Sequence, residues 1–162
     1  MVTLPDSIWA TYREFADFFI DEFGSSCTLI YPPKRETCNN CTINPFGGGS
    51  TNVYRHGGPA PFQGRCPICG GNGFRESENT DTITLRLYWR AKDWIKVANN
   101  INVPDADVQV IGYLSDLYKL KMSTEIRLIN NDHGRWNTVL AGEPFPHGFK
   151  KDRYFVAFLK RI

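Results

Sequence analysis

The amino-acid sequence predicts a mainly β fold: a small β-barrel that carries one N-terminal α-helix and a cysteine-stapled insertion. Three observations support this fold class. Several short segments alternate apolar and polar side chains, which is typical of half-buried strands. Apolar side chains near the N-terminus instead recur at helical spacing. Between these regions, residues 32–80 hold 9 of the 14 glycines, 6 of the 10 prolines and 4 of the 5 cysteines.

The composition fits one folded domain with an appendage. The chain has 162 residues, of which 41% are hydrophobic and 22% charged, so a core can form and the composition argues against wholesale disorder. We expect residues 1–31 to form the helix and the first barrel strand, 32–80 the insertion, and 81–162 the remaining barrel.

The overall charge and hydropathy argue against several function classes. The formal net charge of +2 gives no general attraction to nucleic acid or to a membrane surface. No apolar run approaches the roughly 18–20 residues that a membrane helix needs. Met1–Asp6 contains no basic leader, so we expect no signal peptide and an intracellular protein without a membrane partner.

An amphipathic helix is the first predicted element. Its apolar side chains recur every three or four residues and form a wide, largely aromatic stripe: Ile8, Trp9, Tyr12, Phe15, Ala16, Phe19, Ile20 and Phe23. Gly24 follows the stripe and suits a left-handed C-cap. Such a stripe packs either on the core of its own domain or on another subunit, and both interpretations stay open.

Strands follow in short, regularly spaced segments. Cys27–Tyr31 is the first predicted strand, ended by Pro32 and Pro33. Thr82–Trp89 alternates strictly between apolar and polar side chains, whereas Leu117–Leu120 is ambiguous. The other predicted strands are Trp94–Val97, Val108–Tyr113, Ser123–Ile129, Trp136–Leu140 and Arg153–Arg161. A series of this kind is typical of a small β-barrel or sandwich.

The insertion cannot form a hydrophobic core of its own. Residues 34–80 contain seven large apolar side chains in 47 residues, too few to offset the entropy of ordering the chain. Two CxxC pairs, Cys38 with Cys41 and Cys66 with Cys69, supply another means. Each pair can turn both sulfurs toward one ion, and two pairs complete a tetrahedral shell around Zn²⁺. We therefore predict a structural zinc site whose binding energy orders the insertion.

Other interpretations of the four cysteines are two disulfides, four unpaired thiols or an iron–sulfur cluster. Disulfides need an oxidising compartment, and nothing in the sequence indicates secretion. A redox CxxC needs a thioredoxin-like βαβ context, which the sequence pattern does not offer. His56 lies between the pairs and could replace a ligand, whereas Cys27 stands outside both pairs and is expected to be a small buried residue.

One of the two cysteine pairs lies in a longer motif. Cys66–Gly73, which reads CPICGGNG, resembles the CxxCxGxG unit of the zinc-binding region in J-domain co-chaperones. Those proteins repeat the unit, whereas this chain carries it once, with a half-match at Cys38–Cys41 that lacks the GxG. The sequence has no His-Pro-Asp tripeptide of a J-domain. The resemblance implies a zinc-binding knuckle and not a chaperone activity.

The sequence does not predict an enzyme. His56, His133 and His147 each precede a glycine in a predicted loop, and none has a neighbour that suggests a catalytic pair. The sequence contains no GxSxG, P-loop or HExxH motif. A closed four-cysteine zinc site is structural and not catalytic. A zinc-supported enzyme is therefore the least favoured of three function classes.

A nucleic-acid-binding zinc-ribbon module is the alternative function. Basic side chains lie in or beside the insertion: Lys34, Arg35, Arg55, Arg65 and Arg75. Tyr54, Phe62 and Phe74 could stack on bases. Three glutamates accompany these five basic residues and leave a net charge of +2, which is weak for such a role.

The order of the strand segments resembles the small β-barrel connector proteins of tailed bacteriophages, the head-closure or stopper proteins of the neck. The segments that carry this resemblance are Ser26–Tyr31, Thr124–Leu128, Trp136–Leu140, Glu143–Pro146 and Arg153–Arg161. They are similar to the first strand, to the strand before a turn and to the closing hairpin of those proteins. The long insertion is not a general feature of the family, so adaptor, tail-terminator and baseplate proteins stay open.

This resemblance implies a ring-forming virion structural protein of the head-to-tail connector, assembled in the host cytoplasm. Its implied partners are copies of itself and the portal or adaptor and tail-terminator proteins, and contact with DNA in the channel stays open. The zinc-bound loop would serve subunit contacts. Aromatic side chains are the interface candidates: Trp9, Tyr12, Phe19, Tyr54 and Phe62.

Overall fold

A computed structural model describes residues 6–89, 105–130, 134–147 and 153–162. Two helices lie within these ranges: α1 (Asp6–Phe23) and α2 (Leu117–Met122), the second preceded by a 3₁₀ turn, Leu114–Asp116. The strands within them are β1 (Ser25–Thr37), β2 (Cys41–Ile43), β3 (Ser50–Tyr54), β4 (Phe74–Tyr88), β5 (Val108–Tyr113), β6 (Glu125–Asn130), β7 (Gly134–Leu140), β8 (Phe145–His147) and β9 (Tyr154–Arg161). The ambiguous segment Leu117–Leu120 is helical, whereas Trp94–Val97 and His133 lie outside the described residues. No helix of the described ranges is both long and apolar enough to cross a membrane.

The chain divides into two compact units, and the boundaries between them fall inside β1 and β4. The first, which we call the sheet unit, comprises the residues up to Tyr31 and those from Thr80 onward. The second, which we call the cysteine unit, is Pro32–Asn79. The composition places the insertion at 32–80, nearly the same stretch of chain.

Seven strands form one sheet in the order β5-β4-β1-β6-β7-β9-β8, and β5 also pairs with β9. β9 is antiparallel to all three of its neighbours: β5 pairs with it from Tyr154 to Leu159, β8 from Tyr154 to Val156, and β7 from Leu159 to Arg161. β2 and β3 form a separate two-stranded sheet. The prediction of a mainly β fold with one N-terminal helix is confirmed, but the strands form one large seven-stranded sheet where a small β-barrel was predicted.

β9 separates two hydrophobic cores. Six consecutive residues from Tyr154 to Leu159 are buried, and alternate side chains enter opposite faces of the sheet. The larger core receives Phe155, Ala157 and Leu159, with buried residues from β1, β4, β5, β6 and α2. The smaller core receives Tyr154, Val156 and Phe158, with Ile20 of α1 and Ile111 of β5. The helix therefore packs on the face of β9 that the larger core does not use.

Polar contacts fix α1 on this face. The Tyr154 hydroxyl donates to the Asp17 carboxylate at 2.8 Å, and the Arg153 guanidinium pairs with the same carboxylate at 2.6 Å. The Tyr113 hydroxyl donates to the Asp21 carboxylate at 2.8 Å. Because these carboxylates lie on one side of the helix, they set which of its aromatic residues face the sheet and which face outward.

Gly24 ends α1 in a way that the sequence did not predict. It does not adopt the left-handed backbone conformation expected of a C-cap glycine. A Cβ at this position would lie 2.1 Å from the Ile20 carbonyl oxygen and 2.5 Å from Thr84 Cγ2, so close packing requires glycine here. Arg86 donates to the Phe23 carbonyl at 2.6 Å and satisfies one of the carbonyls left free at the helix end.

β1 and β4 are longer than the sequence predicts. Pro32 and Pro33 were expected to end the first strand, yet β1 continues to Thr37. Both prolines are exposed, and a strand tolerates proline at exposed positions where no N–H is needed for pairing. β4 begins at Phe74, well before the predicted start at Thr82.

Candidate metal centre

The four cysteines of the two CxxC pairs come together in the cysteine unit. Their Sγ atoms all lie within 4.8 Å of one another. Across the pairs, the Sγ atoms of Cys38 and Cys66 are 3.9 Å apart, and those of Cys41 and Cys69 are 3.6 Å apart. All four side chains are buried, and Cys69 is the most exposed of them at 8%. All four are free thiols, so together they could hold one metal ion.

Strand pairing and one long-range hydrogen bond hold the first pair. Cys41 begins β2 and pairs with Tyr54 of β3. The Cys38 N–H donates to the Gly73 carbonyl at 2.9 Å, which ties the first pair to the residue that ends the second knuckle. The position of both sulfurs is therefore set by backbone contacts and not by the cysteines alone.

Glycines let the chain turn tightly around the second pair. The Gly70 N–H donates to the Cys66 carbonyl at 2.8 Å, and the Gly73 N–H donates to Cys69 Sγ at 3.3 Å. Gly70 and Gly73 have φ angles of +64° and +79°, a region that other residues rarely adopt. The CxxCxGxG pattern is thus the sequence of a turn that brings backbone N–H groups toward sulfur.

Asn40 supports the site, and the cysteine spacing does not reveal it. Its side chain is 0% exposed, and Nδ2 donates to Cys66 Sγ at 3.4 Å. Its Oδ1 accepts from the Ala60 N–H at 2.7 Å, while a Cβ on Gly58 would come within 2.9 Å of that oxygen. The neighbouring Asn39 is exposed, so only the fold distinguishes the two asparagines of the first CxxC turn.

The surroundings shift the pKa values of two of the thiols in opposite directions. Burial raises the pKa of Cys41 to about 12. Burial also acts to raise the pKa of Cys66, but hydrogen bonds from the Asn40 side chain and from the Cys69 and Ile68 backbone lower it to about 6. Because metals bind thiolates, these hydrogen bonds favour the metal-binding form of Cys66, whereas burial disfavours that form of Cys41.

Two other candidate ligands stand apart from the four cysteines. Cys27 lies in the larger core of the sheet unit with 0% exposure, and burial raises its pKa to about 12. It is an inert buried residue, as expected. His56 is exposed, and it is not part of the ligand group found among the described residues.

The interface candidates of the cysteine unit serve that unit itself. The Tyr54 and Phe62 rings meet edge to face with their centroids 6.4 Å apart, and Phe62 packs against the four cysteines. The Tyr54 hydroxyl donates to the Gly58 carbonyl at 2.9 Å. Instead, Phe46 is the outward-facing aromatic residue of this unit, 98% exposed, and the sequence did not single it out as an interface residue.

On α1 the candidates are only in part outward-facing. Tyr12 is 40% exposed, whereas Trp9 and Phe19 are half-buried. More exposed apolar side chains lie beside them on the same helix: Ile8, Phe15, Phe18 and Phe23. Packing of the stripe on the core of its own domain is therefore confirmed for Ile20, whereas Phe15, Phe18 and Phe23 are exposed and their packing on another subunit stays a prediction.

The proposed base-stacking residues have other neighbours. The Arg35 guanidinium lies over the Phe74 ring at 4.8 Å from its centroid and pairs with the Glu76 carboxylate at 2.9 Å. One face of Phe74 is therefore covered by an arginine, and that arginine already has a carboxylate. Tyr54 and Phe62, as described, contact each other.

Comparison with models of protein families, with curated proteins and with solved structures finds no match to this chain.

Proposed function

We propose that the four cysteines bind one structural Zn²⁺ and that the protein is an assembly protein rather than an enzyme. The observation that carries the metal site is the group of four buried sulfurs within 4.8 Å of one another. Four ligands fill a tetrahedral shell and leave no position for a substrate. The ion would order residues that cannot order themselves.

The sulfur separations favour one small tetrahedral ion. A Zn–S bond of about 2.3 Å places the sulfurs of a regular tetrahedron about 3.8 Å apart. The separations of 3.9 Å and 3.6 Å lie on either side of this value. An iron–sulfur cluster interposes several atoms between its cysteines and needs a wider group.

The zinc ion takes the place of a hydrophobic core in the cysteine unit. The buried apolar cluster described there consists of the four cysteines, with Phe62 packed against them. A metal ion bound by thiolates contributes folding free energy that such a small cluster does not supply. This is the role of a structural site that orders a segment without a hydrophobic core of its own.

The assembly role is supported by exposed apolar side chains in both units. Phe46 is 98% exposed, and Phe15 and Phe18 of α1 are 60% and 51% exposed. Apolar side chains grouped at a surface mark sites of protein contact. The finer proposal is a ring-forming head-to-tail connector in the virion of a tailed bacteriophage, with portal or adaptor and tail-terminator proteins as neighbours. It is supported by the order of strand segments in the sequence and by this helix.

Metal analysis of protein purified without chelators tests the zinc site. We expect about one zinc per chain in the wild type and in Cys27→Ala, which removes a thiol outside the site. The Cys66→Ser, Cys69→Ser double variant should carry almost none. A wild-type protein without zinc, or with iron in its place, would contradict the proposal.

Light scattering at several salt concentrations tests the assembly role. A discrete oligomer of defined mass supports it. The alternative, a nucleic-acid-binding zinc ribbon, predicts a monomer that binds duplex or single-stranded DNA with an affinity that falls steeply as salt rises. A monomer with such DNA binding would replace the assembly proposal with this alternative.

A further inference from the structure

We propose that Phe46 of one copy docks into an apolar groove beside α1 of a second copy. The inference rests on the proposed self-assembly and names the contact that produces it. It joins two features that nothing else in the described residues explains: an aromatic side chain held almost wholly in solvent, and a groove of a size that accepts an aromatic ring.

Phe46, the side chain that docks, lies in a structured turn between β2 and β3. The Asn44 side-chain oxygen accepts from the Phe46 N–H at 3.0 Å, and the Asn44 N–H donates to the Gly49 carbonyl at 2.7 Å. The Gly48 N–H donates back to the Asn44 carbonyl at 3.2 Å. The turn therefore holds Phe46 outward before any partner is met, which reduces the ordering cost of binding.

The groove that would receive Phe46 lies in the sheet unit, between α1 and the sheet. Phe15 and Phe19 line it from the helix, Tyr88 and Ile111 line it from the strands, and the side chains of Arg86 and His147 also border it. Its volume is about 260 Å³. An apolar cavity of about 150 Å³ already accepts a benzene ring, so one phenyl side chain fits with room for its approach.

Surface charge favours the cysteine unit as the occupant over a second α1. The helix carries five acidic residues and one arginine, and Glu14 and Glu22 are exposed without an ion pair in the described part of the chain. Two such helices would repel each other. Residues 32–79 instead carry five basic and three acidic residues, and Lys34 and Arg55 are exposed without a carboxylate partner among the described residues. The net charge of α1 and that of residues 32–79 are therefore opposite in sign, which favours a contact between these two parts of different copies.

This contact joins two different surfaces of the same chain. Each copy that donates its Phe46 keeps its own groove open for another copy. Head-to-tail contacts of this kind close into a ring when the rotation between neighbours permits it. The contact can therefore join copies into a ring, whereas the same contact made reciprocally by two copies would close a two-fold dimer; the mass of the oligomer separates these arrangements.

Light scattering on the full-length, zinc-loaded protein tests the contact with three single variants. Phe46→Ala removes the docking ring, and Phe15→Glu places a charge in the groove at a side chain that is 60% exposed in the wild type. Tyr118→Ala is the matched control, because this aromatic residue is 72% exposed on α2 and lies outside both features. We expect each of the first two variants to raise the dissociation constant of the oligomer about 30-fold and the control to leave it unchanged.

Mixing the two defective variants gives the sharpest result. Phe15→Glu keeps its Phe46 and Phe46→Ala keeps its groove. At a concentration where neither variant alone forms an oligomer, a mixture of the two should therefore form a one-to-one complex. A wild-type oligomer that Phe46→Ala leaves intact would overturn this contact while the assembly role stands. A monomeric wild type would overturn the assembly role itself. Loss of oligomers in both variants without a complex in the mixture would show that Phe46 does not dock into this groove, and would overturn the proposal.

Discussion

The sheet unit and the cysteine unit reach order by opposite means. The sheet unit buries 13 residues in its larger core, where each side chain contributes many small contacts. In the cysteine unit the buried apolar cluster is the four cysteines with Phe62. Stability is therefore distributed over many residues in one unit and concentrated at one point in the other. Substitutions in the two units should consequently differ in how much stability they remove and in how many residues they disorder.

The largest effect is expected from removing two ligands. Cys66→Ser with Cys69→Ser should disorder Pro32–Asn79, because structural zinc sites contribute roughly 10 kcal/mol or more to the folding of comparable small domains. The sheet unit should stay folded, since its cores lie outside this segment. Amide NMR or limited proteolysis of the full chain measures this directly.

Cys27→Ala is the matched control for this prediction, since it also removes a buried thiol but leaves the four ligands in place. It should keep the cysteine unit ordered. Cooperative unfolding of the whole chain in the double serine variant would show that the two units are not separable in stability.

The second largest effect is expected in the sheet unit. Leu85 is 0% exposed, and Leu85→Ala should lower the free energy of unfolding by about 2–5 kcal/mol, because it leaves a cavity in the larger core. Urea denaturation followed by tryptophan fluorescence measures the loss. Ile129→Ala, at a side chain that is 55% exposed, should change stability by no more than about 0.5 kcal/mol. Equal losses in the two variants would contradict the burial described here.

A smaller effect, on zinc affinity, is expected from Asn40, which contacts a cysteine of the proposed site but is not itself a proposed ligand. Asn40→Ala removes the hydrogen bond to Cys66 Sγ and should weaken zinc binding roughly 10- to 100-fold without abolishing it. Asn39→Ala alters the exposed neighbour in the same turn and should leave the affinity unchanged. Competition with a chromogenic chelator ranks the two variants. Identical affinities would show that Asn40 has no role at the site.

The smallest effect concerns a surface carboxylate of the sheet unit. The Thr82 backbone N–H and then the Lys119 ammonium lower the pKa of Asp81 from its usual value near 3.8. Because the folded state has the lower pKa, this stabilisation is present above the unfolded-state pKa and is lost as pH falls through the folded-state value. Asp81→Asn should therefore lower the melting temperature slightly at pH 7 and not at pH 2. An equal shift at both pH values would point to a different cause.

The grouping of the four cysteines could be predicted from the sequence because the CxxC spacing is a local property. Two cysteines in one tight turn have few ways to point apart, and the glycines after Cys69 indicate the turn itself. The role of Asn40 could not be predicted in this way. It depends on the Ala60 N–H and on the space left by Gly58, which only the folded chain brings near.

The strand alternation of Thr82–Trp89 likewise predicted the buried face of β4, since Ile83, Leu85 and Leu87 are buried. The extension of β1 through Pro32 and Pro33 escaped prediction. Proline ends a strand only where its N–H is needed, and local sequence does not show that these positions are exposed. The burial of the aromatic stripe of α1 could not be predicted for a related reason. Periodicity identifies an apolar face of a helix but does not show how much of that face a neighbouring element covers.

The burial of Tyr154–Leu159 on both faces of β9 has a consequence for natural variation. A strand with one face in solvent can change every second residue freely, and its sequence drifts at those positions. β9 has no such position across these six residues, since each enters one of two cores. Homologous chains of this fold should therefore keep the size and polarity of this short segment even where the rest of their sequence has diverged, which makes it a good probe for finding distant relatives.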